Sequence, residues 1–281
     1  MSAPAFPEPV FIGGPGRSGT HIMGRLLAAS PRYHLIRTEA RFHASNGGLP
    51  DLLAGTVSME DFLARMRGYW WQRGYGQRQG LQRVIDEQRR EAALAEFEEG
   101  FARDPRQAAR RLIRALLDPA AESDGKPAWV EVTGQAIERA PFLLELLPNA
   151  RFINMVRDGR AVVAGMLRKV DMTDDPGRAL QKWEQMVRAS DAALRAVPAG
   201  TMLTIHLDDF TSRDREGTFR RVVEFLEIDD EDQMRKYFKR RVSAEAAHVG
   251  KWRERVAPQD ARLIDRRYRR MIRRLRREGV T

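Results

Sequence analysis

The sequence predicts a three-layer α/β fold in which a central parallel sheet is covered by helices. Short apolar runs alternate with segments of helical period along most of the chain, the pattern of strands joined by crossover helices. The first apolar run ends in glycines and leads directly into a helical pattern. The length of 281 residues suits one large α/β domain that carries an inserted region.

Taken in order, Val10 to Gly14 reads as a strand ending in glycine, and Thr20 to Ala29 as a helix, with Ile22, Met23, Leu26 and Leu27 on one face. Tyr33 to Arg37 reads as a second strand, ending at Thr38, Glu39, Ala40 and Arg41, polar groups placed where open α/β sheets carry chemistry. From Leu49 to about Ser123 the sequence turns charged and helix-forming, with the aromatics Tyr69, Trp70, Trp71 and Tyr75. This 49–123 region is expected to be a helical insertion within a single domain spanning 1–281. Strands are then expected at Pro127 to Val132, Arg151 to Val156 and Met202 to His206. Helices are expected at Ile137 to Leu147, Arg160 to Leu167, about Arg178 to Ala196, Thr218 to Leu226, Asp230 to Phe238, and from Pro258 onward. Pro258 suits a first helical turn, and Glu245 to Arg255 reads as the loop before it.

Composition narrows the function classes. With 42% hydrophobic and 31% charged residues the chain can bury a core, and no stretch approaches the ~20 apolar residues of a membrane span. Met1 to Val10 has neither the basic nor the apolar segment of a secretion signal, so a cytoplasmic location is expected. The absence of cysteine excludes disulfides, thiolate metal sites and a cysteine nucleophile. His21, His34, His43, His206 and His248 are scattered without metal-site spacing, so no metal is expected. The net charge of +10 attracts anions at long range. Part of it lies between Arg262 and Arg277, where Leu263, Ile264, Tyr268, Met271, Ile272 and Leu275 recur at helical spacing among arginines. That segment reads as a docked helix with a wet basic face; an anionic surface or nucleic acid is the alternative partner, although no base-reading motif accompanies it.

Gly14, Pro15, Gly16, Arg17, Ser18, Gly19, Thr20 and His21 occupy the turn between the first strand and the first helix, where backbone N–H groups and the helix dipole converge on an anion. The expected fold is therefore P-loop-like. Gly14 and Gly19 match the spacing of a nucleotide-kinase loop, but Thr20 stands where that pattern has lysine and His21 where it has the magnesium-binding hydroxyl. The cation has moved to Arg17, which disfavours the rival reading of a kinase using Mg-ATP.

The Arg-Ser-Gly-Thr core of this loop resembles the 5'-phosphosulfate loop of sulfotransferases that use 3'-phosphoadenosine 5'-phosphosulfate (PAPS), the protein-tyrosine and carbohydrate branches above all. Three further stretches agree in order: WVEVTGQ from Trp129 to Gln135, RFINMVRDGRAVVAGML from Arg151 to Leu167, and the pair Lys251-Trp252. The resemblance implies transfer of a sulfuryl group from PAPS to a hydroxyl of a small-molecule, glycan or phenolic acceptor, releasing adenosine 3',5'-bisphosphate without a metal. A relative of the fold that has lost catalysis is the other reading it leaves.

The resemblance also assigns roles. Arg17 neutralises the departing phosphate, with Gly16, Ser18, Gly19, Thr20 and His21 supplying further donors around the donor molecule. Arg157 grips the 3'-phosphate, the alternative being an ion pair with Asp158 or another carboxylate. Gly165 stands where the family has a serine ligand, and Val132 where the protein-tyrosine branch has a lysine. Glu39 is the expected base, paired in pattern with Arg41; a salt bridge to Arg37 or Arg41 is its alternative role, and His43 the alternative base. Lys251 and Trp252 are expected to close over the donor, or else to be a solvated lysine beside a core tryptophan. Arg41 and His43 are expected on the acceptor side, and the 49–123 insertion is the expected acceptor-binding region, with Tyr69, Trp70 and Trp71 as its wall, since adjacent tryptophans cannot both face one core. Trp183 is expected to pack between helices.

Overall fold

A computed structural model of the chain describes residues 9–73, 80–168, 173–229 and 232–280. Met1 to Glu8, Tyr75 and Asp230, which figure in the readings above, lie outside the described residues. Strands β1 (Val10–Gly13), β2 (Tyr33–Leu35), β3 (Ala128–Val132), β4 (Arg151–Val156) and β5 (Met202–His206) form one parallel sheet in the order β2-β3-β1-β4-β5. Two of the expected strands, β4 and β5, have the bounds read from sequence. Strand β2 stops at Leu35 rather than Arg37, although the Ile36 amide still donates to the Val130 carbonyl at 2.9 Å.

Helix α1 (Thr20–Ala28) follows the glycine loop. Between β2 and β3 lie α2 (Leu49–Leu53), α3 (Met59–Arg67), α4 (Tyr69–Gln72), α5 (Glu87–Phe101) and α6 (Pro105–Ser123). Helix α7 (Ala140–Leu146) starts three residues later than expected, because Gly134–Ala136 first makes a 3-10 turn. The remaining helices are α8 (Gly159–Met166), α9 (Pro176–Ala196), α10 (Arg215–Leu226), α11 (Asp232–Arg241) and α12 (Pro258–Arg277). Local chemistry explains several starts: the side chains of Asp86, Asp104, Asp158 and Asp175 cap α5, α6, α8 and α9 by accepting from first-turn amides. Pro105, Pro176 and Pro258 occupy first turns, where no amide is missed.

The period of two along each strand divides the core. Val10, Ile12, Val130, Val132, Ile153 and Met155 meet α1, α10 and α11 on one face. Phe11, Trp129 and Phe152 meet the helices between β2 and β3, together with α7, on the other, and Phe11 stacks on Phe152 at 5.5 Å. Each fully buried Phe side chain contributes roughly 1.5–3 kcal/mol. A third cluster joins α8, α9 and α12 through Val162, Trp183, Trp252 and Ile264. Among the described residues no helix is long and apolar enough to cross a membrane.

Candidate active site

The turn after β1 owes its shape to three left-handed residues, Gly14 (φ 115°), Arg17 (φ 73°) and Gly19 (φ 89°). Such residues rotate successive peptide planes into an anion-binding concavity. A side chain at Gly14 would strike the Met155 carbonyl, so glycine is required there. Ser18 is fully buried and its hydroxyl donates to the Pro15 carbonyl, bracing the turn from within. Gly19 leads into α1 and its carbonyl accepts from Ile22 at 2.9 Å, so the positive end of the helix dipole faces the same space. The Gly14 amide donates to the Gly134 carbonyl at 3.0 Å, tying this turn to the one beyond β3.

A cavity of about 290 Å³ opens over the loop at the carboxyl ends of the strands. Gly14, Gly16, Arg17, Gly19, Thr20, His21, Glu39, Arg157 and Gly165 line it, so most of the residues singled out from sequence meet in one place. Its apolar side is Ala161, Leu207, Ala246 and Ala247. Arg255, which was not singled out from sequence, also lines the cavity. Its only signal was its place in the Lys251–Arg255 segment, which forms a 3-10 turn instead of open loop.

Charge accumulates here. Burial depresses the pKa of Arg157, and the guanidiniums of Arg255 and Arg17 depress it further against the opposing pull of Asp208. Burial likewise depresses Arg255, with repulsion from Arg168 and Arg17 behind it. Cations forced together at one cavity favour a polyanion. Arg157 also has a bracing function, donating to the Arg17 carbonyl at 3.0 Å, the Ala247 carbonyl at 2.6 Å and the His248 carbonyl at 3.2 Å. Its alternative partner Asp158 is instead engaged by Arg160 at 2.6 Å. Gly165 leaves room for Arg17: a Cβ there would lie 3.0 Å from Arg17 Cγ.

Glu39 faces the cavity from the turn beyond β2, and Arg41 donates to its Oε2 through Nη2 at 3.0 Å and Nε at 3.2 Å. Arg41 Nη1 also donates to the Tyr69 hydroxyl at 3.2 Å, which brings half-exposed Tyr69 beside the carboxylate. Other expected contacts stay away from the cavity. His43 is wholly buried against Phe11 and Phe42, with Nε2 at 3.1 Å from Glu131 Oε2, so it reaches neither donor nor acceptor. Trp70 is buried against Phe62, and Trp71 carries the Arg90 guanidinium on its face at 4.2 Å. Trp252 is core rather than lid, packed with α8 and α12 beneath Arg160 at 5.4 Å, while Lys251 points to solvent. Trp183 packs in the same cluster, as expected. Among the described residues no group of three or more His, Asp or Glu side chains could hold a metal ion.

A cradle of backbone amides and guanidiniums at the carboxyl edge of a parallel sheet, with a carboxylate across the cavity, is the equipment of an α/β protein that handles a phosphate-like anion. Residues 9–232 match the model of the sulfotransferase family, and the chain belongs to that family. It is 23% identical over 224 residues to the protein-tyrosine sulfotransferase of Drosophila melanogaster, a stretch covering 78% of this chain and 38% of that protein. To protein-tyrosine sulfotransferase A of Caenorhabditis elegans it is 30% identical over 103 residues, covering 35% of this chain and 27% of that protein. The chain thus spans well under half the length of these relatives. In fold it is similar to the sulfotransferase domain from the curacin biosynthetic pathway, with a TM-score of 0.56 at 16% identity over 86% of this chain and 82% of that one. The sulfotransferase domain of the Synechococcus PCC 7002 olefin synthase gives the same TM-score of 0.56 at 19% identity, covering 95% and 97%.

Proposed function

We propose that this protein transfers a sulfuryl group from PAPS to a hydroxyl of a small-molecule, glycan or phenolic acceptor. The observation that carries the reading is the meeting of Arg17, Arg157 and Glu39 around one cavity over the glycine loop. Arg17, the loop amides and the start of α1 face the position of the departing phosphate, where negative charge grows as the sulfur–oxygen bond breaks. Arg157 and Arg255 supply cations for a terminal phosphate, and Leu207, Ala246 and Ala247 an apolar wall for a base. Glu39 takes the proton from the attacking hydroxyl, while Arg41 orients its carboxylate. Tyr69, tied to Arg41, stands on the acceptor side, with the helices of 49–123 around it. PAPS would bring the activated sulfuryl group, and the bisphosphate would leave.

Calorimetric titration with adenosine 3',5'-bisphosphate, without added metal and beside 5'-AMP and ATP, tests the donor assignment. Micromolar binding, much tighter than that of 5'-AMP, is expected, and Arg157→Ala is expected to weaken it by about 10- to 100-fold, the loss of one charge-assisted contact or two. Preference for ATP, or indifference to Arg157, would remove PAPS as the donor. A panel of 4-nitrophenol, a tyrosyl peptide, an aliphatic alcohol and a simple sugar, read by release of the bisphosphate, then sorts the acceptor. Gly165→Ser restores the hydroxyl usual in the family, yet it is expected to slow transfer about tenfold by displacing Arg17. A faster Gly165→Ser protein would show that the missing hydroxyl outweighs the placement of Arg17.

A further inference from the structure

We infer that Glu131, acting with Thr133, is a positioning residue for the carboxylate of Glu39, an inference that rests on Glu39 being the base. Glu131 sits on β3 beside Phe11 of β1 and is wholly buried among aromatic side chains, an unfavourable place for a carboxylate without specific partners. Its hydrogen-bond partners come from the segment that carries Glu39 and from the end of its own strand. Glu131 Oε1 accepts from the Ala40 amide at 2.9 Å and from the Thr133 hydroxyl at 2.6 Å. Thr133 Oγ1 in turn accepts from the Arg41 amide at 3.4 Å, so its single proton and its lone pairs are used consistently. The two peptide groups that follow Glu39 are therefore both held from β3.

The backbone there needs holding. Arg41 adopts a left-handed conformation (φ 60°), which a non-glycine residue keeps only when its surroundings enforce it. Beyond it the chain turns on its own bonds, Ser45 to the Arg41 carbonyl at 2.8 Å and Leu49 to the Phe42 carbonyl at 2.7 Å. His43, with Nε2 at 3.1 Å from Glu131 Oε2, fills the side of the arrangement toward Phe11 and Phe42. One residue past Thr133, the Gly134 carbonyl accepts from the Gly14 amide. The end of β3 thus grips the Glu39 turn and the phosphate turn together.

The experiment compares Glu131→Gln, Glu131→Ala and Thr133→Val, alone and in a Glu39→Gln background. Turnover is read as bisphosphate release from PAPS with the best acceptor of the panel, or with water where none is accepted. Bisphosphate affinity and melting temperature are measured beside it. The expected result is a fall in kcat of about tenfold or more for Thr133→Val, with bisphosphate affinity and KM for PAPS unchanged and no further loss once Glu39 is glutamine. Glu131→Gln keeps an acceptor for Ala40 and should retain more activity than Glu131→Ala; Thr133→Ser should rescue Thr133→Val. Should a Glu131 variant fail to fold, the threonine pair decides alone. Wild-type kcat in Thr133→Val, or a loss that multiplies with that of Glu39→Gln, overturns the inference while leaving the base in place. A Glu39→Gln protein that turns over normally overturns the base itself.

Discussion

Replacing Arg17 by alanine is expected to slow sulfuryl transfer by about 10²- to 10³-fold, the usual cost of losing one preorganised donor to a developing anion. Arg17 lies in the turn between β1 and α1, its stem seated over Gly165 and its carbonyl held by Arg157. Alanine removes the guanidinium and keeps the stem's first carbon. Because Arg17 is left-handed at φ 73°, part of any loss could come from the turn's shape, so Arg17→Gly is the necessary companion. A backbone role predicts that glycine restores the rate, whereas a charge role predicts that glycine and alanine fall alike. Bisphosphate affinity should drop less than the rate does, since the charge on the bridging oxygen grows most during transfer. Unchanged turnover in both variants would mean that the leaving phosphate is stabilised elsewhere.

The second large effect is expected at Glu39. Glutamine preserves its size and can still accept from Arg41, but an amide cannot take the acceptor's proton. A fall in kcat of about 10²- to 10⁴-fold is expected, with bisphosphate binding intact. Acceptors of lower hydroxyl pKa should suffer less, because they need less help in losing the proton. A Glu39→Gln defect equal for 4-nitrophenol and an aliphatic alcohol would assign Glu39 to orientation rather than proton transfer.

The parts of the site built from local sequence were legible in it. The loop from Gly14 to His21 is continuous in the chain, and its glycines, arginine and neighbouring strand mark the strand–turn–helix that lines the cavity. Arg157 was legible because it directly follows β4, and Glu39 because the turn beyond β2 leaves the same edge of the sheet, where strand ends of a parallel sheet converge. Lys251 and Trp252 were misplaced because a tryptophan beside a lysine reads the same whether it covers a ligand or fills a gap between helices. The gap became visible only with α8, α9 and α12 packed together. Arg255 was hidden for the converse reason: a 3-10 turn aims it at the cavity, and five residues are too few to display that period. His43 looked like chemistry and proved to be interior, since its partner Glu131 lies far off in the chain on a different strand.

The order of strands also works as a ruler. The phosphate turn leaves β1 and the proposed base leaves β2, and these are not neighbours: β3 lies between them. Two inter-strand steps separate the ends of β1 and β2 by roughly 9–10 Å, a span fixed by backbone hydrogen bonds. In the proposed reaction the entering oxygen, sulfur and leaving oxygen lie between the turns that leave these two strands, so the strand spacing is the base from which each turn reaches. The last part of the reach belongs to the turns, and on the Glu39 side that turn is tied back to the middle strand by Glu131 and Thr133.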